Sequence, residues 1–172
     1  MKKLLLIAIA AVIGVAANAQ ILSSRTVIKE KKSTLWFVKV GPTINNVTHG
    51  QGAAVGVDGI VGFQRSISTG GLYWGMDLGA GTVGAKGNSS FAARFTPFTL
   101  GYKAAITKDI KLDTHLGGYA AYIADGDQID GGMQIGAGVW YNRFNFDITY
   151  QRGFALDYYN VSNVMFRFGV SF

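Results

Sequence analysis

The chain has 172 residues, 49% of them hydrophobic, with 24 glycines, two prolines, no cysteine and a formal net charge of +6. The missing cysteine excludes a disulfide framework, a thiolate metal site and a thiol nucleophile. The length suits one domain, and beyond the N-terminal segment no run approaches the roughly twenty apolar residues of a membrane-spanning helix.

The N-terminus reads as a secretory signal. Lys2 and Lys3 precede the apolar run Leu4 to Ala17, and Ala17-Asn18-Ala19 is a small-x-small cleavage site. A retained membrane anchor is the alternative, but the cleavage site ends the run cleanly. Residues 1–19 are therefore expected to be removed on export, leaving Gln20 first. Residues 20–34 form a leader with Arg25, Lys29, Lys31 and Lys32. No aromatic side chains interleave with these lysines, so nucleic acid is not an expected partner. A solvated tail, or one resting on anionic headgroups, fits better.

Residues 35–172 read as eight strands with a two-residue period. The first, about 35–46, places Trp36, Val38, Val40 and Ile44 on one face and Phe37, Lys39, Gly41, Thr43 and Asn45 on the other; Pro42 sits inside it, which is tolerable at a bulge. The second, about 54–65, alternates Val55, Val57, Val61 and Phe63 with Gly56, Asp58, Gly62 and Gln64. The third, about 72–83, alternates Leu72, Trp74, Met76 and Leu78 with Tyr73, Gly75, Asp77 and Gly79. In the fourth, about 91–104, Phe91, Ala93 and Phe95 share one parity and Phe98, Leu100 and Tyr102 the other. One extra residue near Pro97 reconciles them.

The fifth strand, about 110–123, sets Ile110, Leu112, Leu116 and Tyr122 against Lys111, Asp113, His115 and Tyr119. The sixth, about 133–141, sets Met133, Ile135, Ala137, Val139 and Tyr141 against Gln134, Gly136, Gly138 and Trp140. After the pair Asn142-Arg143, the seventh, about 144–151, sets Phe144, Phe146, Ile148 and Tyr150 against Asn145, Asp147, Thr149 and Gln151. The eighth, Val164 to Phe172, sets Val164, Phe166, Phe168, Val170 and Phe172 against Met165, Arg167, Gly169 and Ser171.

Each strand thus has an apolar face and a face carrying charge or glycine. Behind a secretory signal, this pattern predicts an all-β fold: an eight-stranded antiparallel up-and-down transmembrane β-barrel, apolar face towards lipid. A soluble lipocalin-like barrel would bury the opposite face. Connections after strands one, three, five and seven read as longer and polar (47–53, 84–90, 124–132 and 152–163), the others as short. The short side is the expected periplasmic side and carries both termini. Trp36, Phe63, Trp74, Tyr102, Tyr141, Phe144 and Phe172 fall at that end, as an interfacial aromatic girdle requires.

The inward face holds Lys39, Asp58, Asp77, Arg94, Lys103, Lys111, Asp113, His115, Asp147 and Arg167. Eight strands enclose a lumen that side chains can fill or that holds one small ligand. With Phe37, Tyr73, Tyr119 and Trp140 also inward, Lys39, Asp58, Asp77, Arg94, Lys111, Asp113, Asp147 and Arg167 are expected to form a charge network that plugs the barrel. The inward glycines are expected to leave room for water. His115 and Asp113 share a face, but no serine is obviously placed beside them, so no enzyme is expected. Asp125, Asp127 and Asp130 read as a solvated acidic loop, since a calcium loop needs more ligands at fixed spacing. No metal or cofactor is expected.

The segment YNRFNFDITYQRGF followed by NVMFRFGVSF resembles the outer membrane protein β-barrel domain family, which includes PorT-like proteins and is similar in architecture to OmpX and the OmpA barrel. The resemblance spans roughly residues 35–172. It implies a cell outer membrane location, with lipid and lipopolysaccharide as surroundings. The terminal Phe172 resembles the aromatic signal read by the barrel assembly machinery. The family lends no catalytic residues. Three readings remain in order: a structural or interaction barrel, a narrow channel or small-ligand barrel, and a lipid-modifying enzyme. The expected interaction site, for a protein partner or lipopolysaccharide, is the fourth long loop, with Phe154, Leu156, Tyr158 and Tyr159.

Overall fold

The computed structural model describes residues 33–45, 52–68, 70–154 and 162–172. The signal segment, most of the leader, His49, and Leu156, Tyr158 and Tyr159 lie outside the described residues. Eight antiparallel strands close into one barrel in sequence order: β1 (Thr34–Asn45), β2 (Ala54–Ser66), β3 (Leu72–Ala85), β4 (Asn88–Ala105), β5 (Ile110–Ile123), β6 (Gln128–Tyr141), β7 (Phe144–Gly153) and β8 (Ser162–Ser171). Each strand pairs with its sequence neighbours, and β8 returns to β1 (Val38 opposite Val170, Val40 opposite Phe168). Closure leaves no edge strand with unpaired backbone, the condition for spanning hydrocarbon with strands.

The wall is inverted relative to a water-soluble protein. Trp36, Val40, Val57, Leu78, Phe146 and Phe168 are among the outward side chains at least half exposed, whereas Lys39, Asp58, Arg94, Asp113, Asp147 and Arg167 are buried inside. This sidedness rules against the lipocalin-like alternative, which would hide the apolar face. At the short-turn end, Trp36, Phe63 and Trp74 stack along neighbouring strands with ring centroids 5.4 and 5.3 Å apart. Tyr141 opposes Phe144, and the backbone of Phe172 exchanges hydrogen bonds with that of Trp36 (3.0 and 3.3 Å). The girdle is therefore continuous across the closing seam.

The extra residue in β4 sits where parity requires it. Phe95 opposes Ala120 and Phe98 opposes Gly118, three steps on β4 against two on β5. Pro97 and Phe98 consequently both face outward, and the inward series resumes at Thr99. No bulge occurs at Pro42, which stays in register opposite Val57. Its imide costs no β1–β2 bond, because the Val57 N–H is turned to β3, where it bonds Thr82 Oγ1 at 3.1 Å. Beside it, Gly41 packs so close to β8 that any Cβ would overlap the Phe166 carbonyl.

Two of the four longer connections are not loops. β3 and β4 are joined by Lys86-Gly87 alone, with Ala85 opposite Asn88. β5 and β6 pair out to Ile123 opposite Gln128 around a single 3-10 turn, Ala124–Gly126. Glycines and aspartates suggested coil there, but pairing between adjacent strands outweighs the weak strand preference of these residues. Gln128 to Gly131 run past the end of β7, so the barrel rim is uneven at this end. Asp130 consequently belongs to a strand and is 2% exposed, not part of an acidic loop.

Candidate functional site: the bridged lumen and its two mouths

From the short-turn end inward, the lumen is built in layers. In the first, Asp113 on β5 accepts hydrogen bonds from the Tyr73 hydroxyl of β3 (2.6 Å) and Trp140 Nε1 of β6 (2.8 Å). Phe37 and Ile60 pack with Trp140 there. In the second, Lys39 of β1 pairs with Asp147 of β7, and its ammonium lies 5.0 Å from the Phe37 ring and 5.5 Å from the Trp140 ring. In the third, Asp58 of β2 pairs with Arg94 of β4 and accepts from Arg167 Nε of β8 at 2.6 Å. Arg94 also donates to Gln151 Oε1 of β7 (2.9 Å), whose amide donates to Gln134 of β6 (2.8 Å). Val83, Ala92, Tyr119, Ala121 and Ile123 form an apolar layer towards the opposite end.

Most of these bonds join strands that are not neighbours in the wall: β1 to β7, β2 to β4 and β8, β3 to β5, β4 to β7. They cross the lumen. Buried charges are tolerable only when paired and hydrogen-bonded, and this arrangement meets that condition for Lys39, Asp58, Arg94, Asp113, Asp147 and Arg167. Asp77 lines a small cavity of about 20 Å³ together with Lys39, His115, Asp147 and Arg167. That volume holds about one or two water molecules. Lys111 lines the cavity at the short-turn mouth.

The inward glycines do not leave the room the sequence suggested. Large inward side chains stand opposite them: Phe37 opposite Gly62, Tyr73 opposite Gly101, Arg94 opposite Gly79, His115 opposite Gly136, Tyr119 opposite Gly132. A Cβ at Gly101 would fall inside the Tyr73 ring, and one at Gly136 inside the His115 imidazole. The glycines are the surfaces over which the large residues fold. The charges are legible in the sequence, but this pairing is not, nor are the parts of Gln134 and Gln151. Strict parity marks these as inward; only the register shows what they meet.

His115 has the beginnings of a catalytic line. Its Nε2 lies 3.3 Å from Thr149 Oγ1, and its Nδ1 lies 3.7 Å from Asp113 Oδ1, beyond hydrogen-bond reach. Thr149 is 0% exposed inside the wall, so a substrate has no approach to it. Of the acidic turn, Asp127 accepts from the Tyr122 hydroxyl at 2.9 Å, while Asp130 points inward. Of the expected interaction loop, Phe154 is described: it follows β7 and is 64% exposed.

No protein-family profile and no curated protein matches the sequence. Among solved structures, Neisserial surface protein A superposes with a TM-score of 0.58 at 16% identity, covering 83% of this chain and 98% of that one. The architecture is that of a small outer-membrane β-barrel. A de novo designed transmembrane β-barrel (TM-score 0.48, 17% identity, 84% and 100% covered) is also similar. So is Ail, the attachment invasion locus protein of Yersinia pestis, in complex with a heparin analogue (0.46, 15%, 81% and 99%). At these identities the likeness is one of fold.

Proposed function

We propose that the protein is an integral barrel of the cell outer membrane with a structural or interaction role, exercised through its loops rather than its lumen. The observation that carries this reading is the set of hydrogen bonds across the lumen, which tie β1 to β7 and β2 to both β4 and β8. A barrel bridged in this way has no continuous path for solute, and His115 is shut into the wall. The outer surface is accounted for by lipid. What remains for recognition are the rims.

The short turns and both termini face the periplasm in this reading, with the aromatic girdle at the inner interface. The two connections still long, after β1 and β7, lie at the opposite rim and would face outward. Phe154, Leu156, Tyr158 and Tyr159 then present apolar side chains to a protein partner or to lipopolysaccharide. Phe172, outward and 69% exposed at the girdle, suits a signal read by the assembly machinery. The PorT-like assignment belongs to the same proposal.

Replacing these four loop residues with serine tests it. Folding, read from heat-modifiable gel mobility, should be unchanged, because loops add little to barrel closure. Binding to whole cells, to lipopolysaccharide or to a co-purifying partner should fall. Collapse of folding with unchanged binding per folded molecule would show that the loop is structural.

A further inference from the structure

We propose that an outward groove across β6, β7 and β8, at the height of the girdle, is a binding site for one anionic phospholipid. Its phosphate is held at Arg143 and an acyl chain lies in the groove. The proposal rests on the outer-membrane reading above and is independent of the role of the loops.

The groove has a volume of about 420 Å³ and is lined by Val139, Tyr141, Phe144, Asn145, Phe146 and Phe168. That is within the range of small-molecule sites. Its surface is apolar, because Asn145 faces inward and turns its amide to the Val139 carbonyl at 3.2 Å. Tyr141 stands opposite Phe144, and Phe146 stands opposite both Val139 and Phe168, so three neighbouring strands share one depression. The Phe144 and Phe168 rings stack with centroids 5.9 Å apart, which fixes part of the lining.

The headgroup end carries the charge. Arg143 directly precedes Phe144 in the β6–β7 turn and is exposed. Girdle aromatics lie at headgroup level, so this cation lies at the phosphates. Among the described residues the Arg143 side chain makes no hydrogen bond or ion pair. Its backbone is anchored on both sides: the Arg143 carbonyl accepts the Ser171 N–H at 2.8 Å, and the Asn142 N–H donates to the Asp109 carbonyl at 2.9 Å. The second bond brings the β4–β5 turn alongside, where Lys108 is exposed next to the acid Asp109. Lys108 and Arg143 together outweigh that acid. A guanidinium matches a phosphate with two parallel hydrogen bonds.

Charge and apolar surface, adjacent at one interface, are the two halves of a phospholipid. A second copy of the chain fits less well. Two barrels related by an axis along the membrane normal share their depth, so Arg143 would face Arg143.

A tryptophan in the groove reports on the occupant. Trp36→Phe, Trp74→Phe and Phe146→Trp place one on the lining, with Trp140 inside the lumen as constant background. In phosphatidylcholine vesicles, phosphatidylglycerol with brominated chains should quench it at about fivefold lower mole fraction than brominated phosphatidylcholine, the preference worth one cation at the surface. Arg143→Gln should abolish the preference and Arg143→Lys should keep much of it. Arg65→Gln, an exposed cation opposite Trp74 on another part of the wall, should leave it unchanged. Equal quenching by both lipids in folded protein, or a preference that survives Arg143→Gln, overturns the site. So does equal loss in Arg65→Gln, which would mean diffuse attraction, and so does quenching that vanishes as protein-to-lipid ratio rises, which would give the groove to a second copy. Absence of heat-modifiable folding in vesicles would instead overturn the outer-membrane reading, and the site with it.

Discussion

Asp58 is the side chain whose loss should cost this barrel most. It is 1% exposed, pairs with Arg94 and accepts Arg167 Nε at 2.6 Å. Its place is made by Gly41 and Gly81, which oppose it on β1 and β3 and leave space for both guanidinium groups to converge. Asp58→Ala would leave two buried cations without the carboxylate they share, with Gln151, the Met165 sulfur and, around the adjoining cavity, Asp77 and Asp147 as their remaining neighbours. Removing one partner of a buried pair typically costs about 3–5 kcal/mol. An exposed pair costs about 0–1 kcal/mol. We expect the buried figure, measured as the loss of unfolding free energy in urea with the protein in phospholipid vesicles. Exchanging all three groups for apolar residues (Asp58→Leu, Arg94→Met, Arg167→Met) should recover most of the loss, since a packed apolar cluster is often as stable as a buried ion cluster. A loss below about 1 kcal/mol for Asp58→Ala would mean that water screens the cluster and that the lumen is not closed there.

Three further outcomes follow from the same geometry. Ile148→Arg, mid-wall and lipid-facing, should destabilise the folded barrel in vesicles by about 2–4 kcal/mol, whereas Val170→Arg, opposite Phe144 in the girdle, should cost about 0–1 kcal/mol; equal costs would refute the assigned membrane position. Gly101→Leu should displace the Tyr73 ring and break its bond to Asp113, lowering stability and shifting the near-ultraviolet circular dichroism of the aromatic layer, while Gly87→Ala, in the turn with nothing within 4 Å of its added Cβ, should cost only the strain of its positive φ. Purified protein in planar bilayers should show no steady single-channel conductance; large reproducible currents would contradict the bridged lumen.

The strand count, the sidedness of every strand and the irregularity in β4 are all legible in the residues alone. The reason is local: a two-residue period fixes which face each side chain takes, and the parity slip at Pro97 has no other regular solution than one extra residue. The girdle was legible for the same reason, as was the inward placement of Lys39, Asp58, Arg94 and Arg167. Register was not legible, because it depends on which residue of one strand meets which residue of the next. Two errors came from that. Glycine-rich and acidic stretches at 84–90 and 124–132 read as loops, although pairing carries them to the ends of long hairpins. Composition makes inward glycines read as free space, whereas the register sets them beneath large neighbours, Gly101 under Tyr73 and Gly136 under His115. Which charges meet was likewise a matter of closure: Lys39 reaches Asp147 only because β8 returns to β1, bringing β7 within reach across the lumen. Alternation assigns a side chain to the interior; closing the barrel decides what it finds there.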